Sequence, residues 1–276
     1  MRTFRPSTAL RSLGLIAILA VAVFPVYWMI NTALSADSEL FNTGQDLYPH
    51  IERVGEIPEF LSGIPIGRWL WNSAVIALGT TVLSLLIAVH AAYALSRYRF
   101  FGKGIAGVLL FTTQMMPQAL ILVPLFALFS TLGLLNNLGG LVLANTAFVM
   151  PVGVFILKGA IDGVPFEIEE AARVDGASRF GILSLVVLPL IGPSVAAAAV
   201  ICFFDGWNEF MFANVFIRDQ ALWPASIGLS SFIGQFYTPI NGVMIAALAF
   251  ALPAVVFFLL MQRRIVSGLT AGSVKG

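Results

Sequence analysis

The sequence predicts an all-α integral membrane protein with six transmembrane helices. The chain of 276 residues is 59% hydrophobic and only 11% charged, whereas soluble domains carry about 25% charged residues. Its mean hydropathy is +0.93. Six apolar segments are each long enough to cross the hydrocarbon core of a bilayer, which takes about 20 residues. Composition and segment length therefore agree on the fold class.

The predicted spans follow one another along the chain, with the length and periodicity of membrane helices. They cover roughly residues 13–34, 70–95, 105–129, 138–158, 189–216 and 241–262. The stretch between the first two spans is polar and rich in turn residues, which indicates a loop outside the membrane. The single cysteine, Cys202, lies in the fifth span and is expected to pack there as a small apolar residue.

The first span is predicted to remain in the protein as a helix. Arg2, Arg5 and Arg11 precede it, as basic residues precede the apolar region of a signal peptide. Its apolar run is too long for such a region, however, and Tyr27 and Trp28 stand near its outer end. Aromatic residues gather in this way where a membrane helix meets water.

The distribution of Lys and Arg predicts that both termini are cytoplasmic. With a cytoplasmic N-terminus, twelve of these residues fall on the inner side and three on the outer side. The inner residues are Arg2, Arg5, Arg11, Arg97, Arg99, Lys103, Lys158, Arg173, Arg179, Arg263, Arg264 and Lys275, and the outer ones are Arg53, Arg68 and Arg218. An excess of this size on one side is typical of the cytoplasmic loops of membrane proteins.

This orientation divides the chain into a cytoplasmic N-terminus at 1–12, a six-span transmembrane domain over 13–266 and a cytoplasmic tail at 267–276. The domain contains a first outer loop at 35–69, a cytoplasmic loop at 159–188 and a third outer loop at 217–240. Four prolines lie inside spans three, four and six, where each is expected to kink its helix. They are Pro117, Pro124, Pro151 and Pro253.

The cytoplasmic loop is predicted to contain a short amphipathic helix. Pro165 suits the first turn, and the acids that follow it lie near the positive end of the helix dipole. Gly176 is expected to end the helix in the left-handed conformation, and Ser178 to begin the next one. One face carries Val164, Ile168, Ala171 and Ala172. Because so short a helix is marginal in water alone, another protein is expected to hold it.

The residues of this loop resemble a known signature. Glu170-Ala171-Ala172 is followed after three residues by Gly176 and after nine more by Val186-Val187-Leu188-Pro189. This is similar to the EAA motif of ABC importer permeases, E-A-A-x3-G-x9-I-x-L-P, with valine in place of isoleucine. Trp207-Asn208-Glu209-Phe210 and the tail from Gln262 to Gly276 resemble the maltose-type carbohydrate branch of that family.

The resemblance implies a type I ABC importer permease in the bacterial cytoplasmic (inner) membrane. It implies a second permease subunit, two ATPase subunits and an extracytoplasmic solute-binding protein as partners. The ATPase subunits would bind ATP and Mg, and this chain would bind no cofactor. The loop helix would couple to an ATPase through Glu169, Glu170, Ala171, Ala172, Asp175, Gly176 and Pro189. The tail would reach the ATPase pair through Gly268, Thr270, Gly272 and Lys275.

Three polar residues of the fifth span are predicted to line the transport path. Asp205, Asn208 and Glu209 share one helix face by their spacing. A carboxylate facing lipid costs a few kcal/mol, so this face is expected to border a water-filled cavity or to pair within the complex. Asn145 and Gln114 are weaker candidates for the same lining, since single amides often only bridge helices.

The third outer loop is a candidate contact for the binding protein. Trp223, Phe232, Phe236 and Tyr237 suit a protein or carbohydrate surface. Aromatic side chains also gather in the membrane interface, so the two interpretations remain open for this loop.

Several functions are excluded or disfavoured by what the sequence lacks. It has no phosphate-binding G-x-x-x-x-G-K-[ST] loop and no H-E-x-x-H motif, so we expect neither ATP hydrolysis nor other catalysis by this chain. The net charge of +1 gives no reason to expect nucleic acid. A secondary transporter or channel is the alternative, although internal repeats are not evident. The cargo is not determined by the sequence.

Overall fold

The computed structural model describes residues 8–42, 46–234 and 237–272. The chain divides into two units, one formed by Met1–Ile66 with Leu229–Ala251 and the other by Gly67–Gly228 with Leu252–Gly276. All regular structure within the described ranges is helical, as the fold class predicted.

The helices are labelled in chain order. They are α1 Thr8–Ala33, α2 Asp37–Asn42, α3 Glu56–Ser62, α4 Ile66–Arg97, α5 Lys103–Met115, α6 Gln118–Thr131, α7 Leu138–Asp162, α8 Phe166–Val174, α9 Arg179–Gly181, α10 Leu188–Leu190, α11 Gly192–Trp207, α12 Met211–Phe216, α13 Ala225–Ser230 and α14 Ile240–Gly272. A π-helix at Ile182–Val187 joins α9 to α10, and 3-10 turns occupy Ile51–Gly55 and Gln220–Leu222.

Among the described residues, five helical stretches are long and apolar enough to cross a membrane: Arg11–Ala33, Ile66–Arg97, Leu138–Asp162, Gly192–Phe216 and Ile240–Arg263. Helices α5 and α6 pass the same test only as a pair, and the chain bends by 104° between them. The prediction of one helix over 105–129 is therefore wrong in shape, although the pair still supplies a sixth apolar segment.

Pro117 explains the break between α5 and α6. A proline disfavours the helical conformation of the residue before it, and Met116 is extended, with φ −79° and ψ 126°. The other three predicted kink sites, Pro124, Pro151 and Pro253, stay inside α6, α7 and α14 respectively. Of the four predicted kink sites, Pro117 is therefore the one at which the chain turns between two helices.

In the first unit, α1 presents exposed apolar side chains all round over residues 11–26, as expected of a helix surrounded by lipid or by another subunit. Its C-terminal part is tied to the following loop. The Asn31 side-chain amide donates to the carbonyl of Asp46 at 2.6 Å, and the Tyr27 hydroxyl donates to that of Leu47. The ring of Phe60 on α3 packs against that of Phe232, with centroids 6.0 Å apart.

The second unit has two apolar clusters along α4 and α7. One joins the C-terminal half of α4 to α7 and to the π-helix, around Val89, Leu157 and Ile182. The other joins the N-terminal half of α4 to α7 and α12, around Ile76 and Phe212. Each cluster supports one of the two polar regions described below.

A glycine lets the end of α11 lie directly against α4. A Cβ atom at Gly206 would stand 2.9 Å from the Cα of Ala77 and 3.3 Å from the side chain of Thr80. Real side chains do not approach a backbone atom so closely, so this contact requires glycine. The contact fixes the part of α11 that carries Asp205.

Candidate functional site

The helix predicted in the loop at 159–188 is α8, and its C-terminal end has the expected geometry. Gly176 is left-handed, with φ +86°, which confirms the prediction for this residue. Its N–H donates to the carbonyl of Arg173 at 3.1 Å, and the N–H of Ala177 donates to that of Ala172 at 3.0 Å. This pair of bonds is the Schellman motif, which satisfies the carbonyls at the end of a helix.

The next helix begins at Ser178, as predicted. The Ser178 hydroxyl accepts the N–H of Gly181 at 3.1 Å, in the manner of an N-terminal cap. The chain continues through α9 and the π-helix into α10, where Pro189 lies exposed near the start. Gly176 and Ser178 therefore define the turn between α8 and α9.

Glu169, predicted as a coupling residue, lies inside the protein. It is 0% exposed. The Tyr93 hydroxyl donates to its Oε2 at 2.8 Å, and Arg97 Nε donates to its Oε1 at 2.5 Å. Arg97 also donates through Nη2 to the carbonyl of Val164 at 2.7 Å. A buried carboxylate requires such partners because removing a charge from water is costly. Glu169 therefore fastens α8 to the end of α4.

The remaining acids of α8 face outwards. Glu170 is exposed and has no hydrogen-bond or ion-pair partner among the described residues. The predicted apolar face is divided between two environments: Val164 is buried and Ala172 packs against the core, whereas Ala171 is exposed and Ile168 is 39% exposed. Helix α8 thus has one face tied to the protein and another that is free to contact a partner.

The predicted path residues lie around one cavity of the second unit. Asp205, Asn208 and Glu209 line a space of about 610 Å³ together with Gln118 from α6 and several apolar side chains. They do not share one unbroken helix, because α11 ends at Trp207 and Asn208 stands at its C-terminal cap. The Trp207 ring is buried and stacks on Phe203, with centroids 5.6 Å apart.

The side chain of Glu209 is hydrogen-bonded to the backbone at the break between α11 and α12. Its Oε1 accepts the N–H of Phe212 at 2.5 Å and that of Ala213 at 3.2 Å. These are N–H groups of the first turn of α12, which lack partners within the helix. The Ser226 hydroxyl donates to the Glu209 carbonyl. Glu209 therefore caps a helix from the wall of the cavity.

Asp205 differs from Glu209 in having no hydrogen-bond or ion-pair partner within the part of the chain that the structure describes. It is half-buried and borders the same cavity. Its carboxylate is consequently available to water or to a polar molecule that enters the space.

The two weaker path candidates lie elsewhere in the second unit. Asn145 is 1% exposed, and its amide donates to the Leu141 carbonyl on its own helix at 2.9 Å. Gln114 on α5 donates to the Phe148 carbonyl of α7 at 2.7 Å. Neither borders the cavity lined by Asp205. Gln114 bridges two helices, the role that single amides often have.

The aromatic residues of the predicted third outer loop differ in exposure. Trp223 packs partly against the apolar cluster around Phe212, and the side-chain amide of Asn72 donates to its carbonyl at 3.0 Å. Phe232 contacts Phe60, and Tyr237 is 59% exposed. Phe236 lies outside the described residues.

The residues that the sequence predicts as contacts of the tail begin within α14. The backbone of Gly268, Thr270 and Gly272 continues that helix, so the expected boundary of the tail at residue 267 falls inside it. Lys275 lies outside the described residues. In the described part of the chain, no group of three His, Cys, Asp or Glu is placed to hold a metal ion.

Comparison with known proteins identifies the family. Residues 81–270, which include α8 and the cavity, match the model of the binding-protein-dependent transport system inner membrane component. The chain belongs to this family. It is accordingly a multi-pass membrane protein and a transport permease subunit, as the EAA signature implied, and the alternative of a secondary transporter or channel is wrong.

Relatives of this permease match over nearly the full chain. It is 32% identical over its whole length to the sulfoquinovosyl glycerol transport system permease protein of Agrobacterium fabrum, of which it covers 97%. It is also 32% identical to the trehalose transport system permease protein of Mycobacterium tuberculosis, with 94% coverage of each chain. The trehalose/maltose transport system permease protein of Thermococcus litoralis is again 32% identical, over 96% of this chain and 95% of that one.

A solved structure shares the fold of the permease. A chain from a bacterial ABC transporter involved in the import of the acidic polysaccharide alginate superposes with a TM-score of 0.75 at 21% identity, covering 95% of this chain and 99% of that one. The fold is therefore that of an ABC importer permease.

Sequence reasoning missed Tyr93 and Arg97 as parts of the site. The sequence indicates Arg97 only as a charge on the inner side, and it assigns no role to Tyr93. Their spacing of four residues puts both on one face of α4, and this spacing is the feature of the sequence that groups them. The partner Glu169 is 72 residues away from Arg97 along the chain, so spacing alone does not identify it.

Proposed function

We propose that this permease forms, with a second permease subunit, the membrane path of an ATP-driven importer of a sugar or sugar-like solute. Two ATPase subunits and an extracytoplasmic binding protein complete the assembly. Relatives named for trehalose and for sulfoquinovosyl glycerol support the solute class. A cavity with a free carboxylate and an amide supports it as well, because such groups hydrogen-bond hydroxyls.

The proposed orientation places both termini and α8 in the cytoplasm. It rests on the excess of Lys and Arg on one side of the predicted topology. Helix α8 then stands on the side of the membrane where ATP is hydrolysed, and Trp223 and Tyr237 stand on the side from which the binding protein delivers its solute.

One observation carries the coupling role: α8 is fastened through Glu169 to the membrane helix α4 while Glu170 remains exposed. A surface helix that a partner can grip transmits force only if it is rigidly joined to the membrane domain. The buried ion pair with Arg97 supplies that joint. Movement of an ATPase subunit bound to α8 would thus displace α4.

The path proper is proposed to run past Asp205 and Asn208. Asp205 has no partner within the described chain and borders the cavity, so its acceptor oxygens are free to bind passing hydroxyl groups. Glu209 contributes by holding the start of α12, which shapes one wall of the same cavity. We assign Asn145 and Gln114 to helix packing instead.

Two further contacts complete the proposal. Trp223 and Tyr237 are proposed to meet the docked binding protein, and the end of α14 with residues 267–276 to meet the ATPase pair. Trp223→Ala and Tyr237→Ala are then expected to impair stimulation of the ATPase by the binding protein. Unchanged stimulation in both variants would favour a position in the membrane interface.

The coupling role is tested with charge reversals on α8 in the reconstituted importer. Glu170→Lys is expected to lower binding-protein-stimulated ATP hydrolysis about tenfold or more, as loss of a central interface residue does. Glu167→Lys provides a matched control on the same helix, since Glu167 is also exposed but lies outside the EAA signature. Full transport by Glu170→Lys together with normal ATPase association would contradict the role.

The solute class is tested separately through the binding protein that delivers it. A thermal-shift screen of that protein against oligosaccharides, glycosides, polyol phosphates, amino acids and peptides identifies the ligand, because a bound ligand raises the melting temperature by mass action. A shift only with amino acids or peptides would refute the carbohydrate assignment and leave the importer assignment intact.

A further inference from the structure

A basic cavity lies between the end of α4 and the loop that carries α8. Its volume is about 500 Å³. Three arginines and one carboxylate line it, Arg97, Arg173, Arg179 and Glu169, so the formal charge of the lining is three positive less one negative, or +2. A cavity with this excess attracts an anion.

Two of the three arginines have no acidic partner among the residues that the structure describes. Arg97 is paired with Glu169. Arg173 has no hydrogen-bond or ion-pair partner among the described residues, and Arg179 lies over the ring of Tyr98 at 5.7 Å. A guanidinium stacked on an aromatic ring keeps its N–H groups free for a planar or tetrahedral anion. The cavity therefore offers two uncommitted guanidinium groups.

An apolar groove lies along the same two elements. It has a volume of about 380 Å³, and ten residues of α4, of the stretch Arg179–Leu190 and of α11 line it, most of them aliphatic. The two polar side chains in its wall are bonded to their own helices: His90 Nδ1 to the Leu86 carbonyl at 2.7 Å, and Ser184 Oγ to the Phe180 carbonyl at 2.8 Å. The groove consequently presents an apolar surface.

The groove and the basic cavity follow one another along one face of α4. Leu86 and His90 line the groove, and Tyr93 and Arg97 line the cavity. Their spacings of four, three and four residues keep all of them on the same face of the helix. At 1.5 Å per residue, Leu86 and Arg97 are separated by roughly 16 Å along the axis. Arg179 and Leu183 continue the same order on the facing element.

We propose that this paired site binds an anionic phospholipid of the cytoplasmic leaflet, an inference that rests on the proposed orientation of the chain in the membrane. The phosphate lies between Arg173 and Arg179, and an acyl chain lies in the groove beside Leu86. Basic pockets at the cytoplasmic ends of membrane helices bind anionic headgroups in this way. A carboxylate from a soluble partner matches the cavity but leaves the groove unexplained.

The bound lipid connects the coupling loop to the bilayer. Arg173 belongs to α8, whereas Arg179 begins the helical stretch that leads through the π-helix towards α11. A phosphate held by both bridges the two sides of Gly176, at the turn between them. Anionic lipid is therefore expected to steady α8 and to raise coupled ATP hydrolysis.

The test measures lipid retention by native mass spectrometry of the purified importer after incubation with vesicles of phosphatidylcholine and phosphatidylglycerol. Wild type is expected to retain phosphatidylglycerol. The double variant Arg173→Ala/Arg179→Ala is expected to bind it roughly 30-fold more weakly, the usual effect of two basic residues near an anionic surface. Arg99→Ala is the matched control, since Arg99 is exposed at the same end of α4 but outside the cavity. Leu86→Trp fills the groove without changing charge and is expected to reduce retention as well.

Three outcomes would overturn the proposal. Equal retention by wild type and the double variant would remove the site. Displacement of the lipid by inorganic phosphate alone, with Leu86→Trp unaffected, would make the cavity a site for free phosphate. Loss of ATPase association in the double variant with lipid retention unchanged would assign the arginines to the protein partner. Because lipid retention needs neither transport nor ATP hydrolysis, failure here is distinguishable from failure of the proposed function.

Discussion

The loop at 159–188, which carries α8, and the break between α11 and α12 each bond an acidic side chain inside the protein, but to different kinds of partner. Each region has one acid committed inside the protein and one left free. In the loop, Glu169 is held by the side chains of Arg97 and Tyr93, while Glu170 is exposed. At the break, Glu209 is held by backbone N–H groups, while Asp205 has no partner in the described chain.

The difference is in what the committed acid stabilises. A side-chain ion pair joins two distant elements, so Glu169 fixes the position of α8 relative to α4. The Glu209 side chain bonds only to backbone N–H groups of the adjacent helix, so it fixes only the local course of the chain. The comparison predicts that disrupting the first region disturbs an interface, whereas disrupting the second disturbs the shape of a cavity.

Removal of Arg97 is expected to have the largest effect. Arg97→Ala leaves the buried carboxylate of Glu169 without its charge partner, which destabilises a protein by about 3–5 kcal/mol. Thermal unfolding of the purified permease measures the loss. The double variant Arg97→Met/Glu169→Gln removes both charges and is expected to recover most of it. If the single and double variants unfold at the same temperature, the ion pair does not fasten α8.

Glu209→Ala is expected to have the second largest effect on the free energy of unfolding. It removes an acceptor from two buried N–H groups, at a cost of about 1.5–3 kcal/mol for bonds to a charged group. Glu209→Gln keeps an acceptor oxygen and is expected to lose much less. The melting temperatures of the two variants are compared in the same detergent. Equal losses would indicate that the charge, and not the cap, is what matters at this position.

Gly176→Val tests backbone geometry in the first region without touching either acid. The cost is expected to be roughly 1–2 kcal/mol, the usual penalty for a residue with a Cβ in the left-handed region. Since no atom lies within 4 Å of an added Cβ, the effect is conformational and not a clash. Gly176→Asn is the control, because asparagine tolerates this conformation better. Equal losses of stability in Gly176→Val and Gly176→Asn would contradict the assignment of backbone strain to this position.

Asp205→Ala is expected to have the smallest effect on stability, within about 0.5 kcal/mol, because its carboxylate bonds to no described residue. Transport is expected to change about fivefold, the equivalent of one hydrogen bond to the solute. Uptake of labelled solute into proteoliposomes measures this. A large drop in melting temperature with unchanged transport would reverse the roles assigned to Asp205 and Glu209.

The sequence predicted the features that depend on neighbouring residues. Gly176 and Ser178 act within a few positions of where they stand, and the structure places them as expected. The partnership of Arg97 and Glu169 depends on packing between α4 and α8, which no local pattern encodes. The separation of Asp205 from Glu209 was hidden for a related reason: helical spacing put both on one face, but α11 ends between them.

Proline illustrates the same limit. Pro117 breaks a helix while Pro124, seven residues further on, lies inside one. Both prolines disfavour the helical conformation of the residue before them. The surrounding packing decides whether the helix breaks there. Membrane helices accommodate a proline where a neighbour satisfies the freed carbonyl, and that neighbour is not visible from the position of the proline alone.

The separation of Arg97 from Glu169 has a consequence for biosynthesis. Chains are made at about 5–20 residues per second, so the 72 residues between the two partners take roughly 4–14 s to follow. On the proposed orientation, we expect Arg97 to stand during that interval at the end of a newly inserted helix without its acidic partner, as a positive charge of the kind that retains a segment on the cytoplasmic side. The ion pair with Glu169 can form only after α8 has been synthesised. On that proposal, Arg97 would contribute first to the orientation of the nascent chain and later to the attachment of α8 to α4.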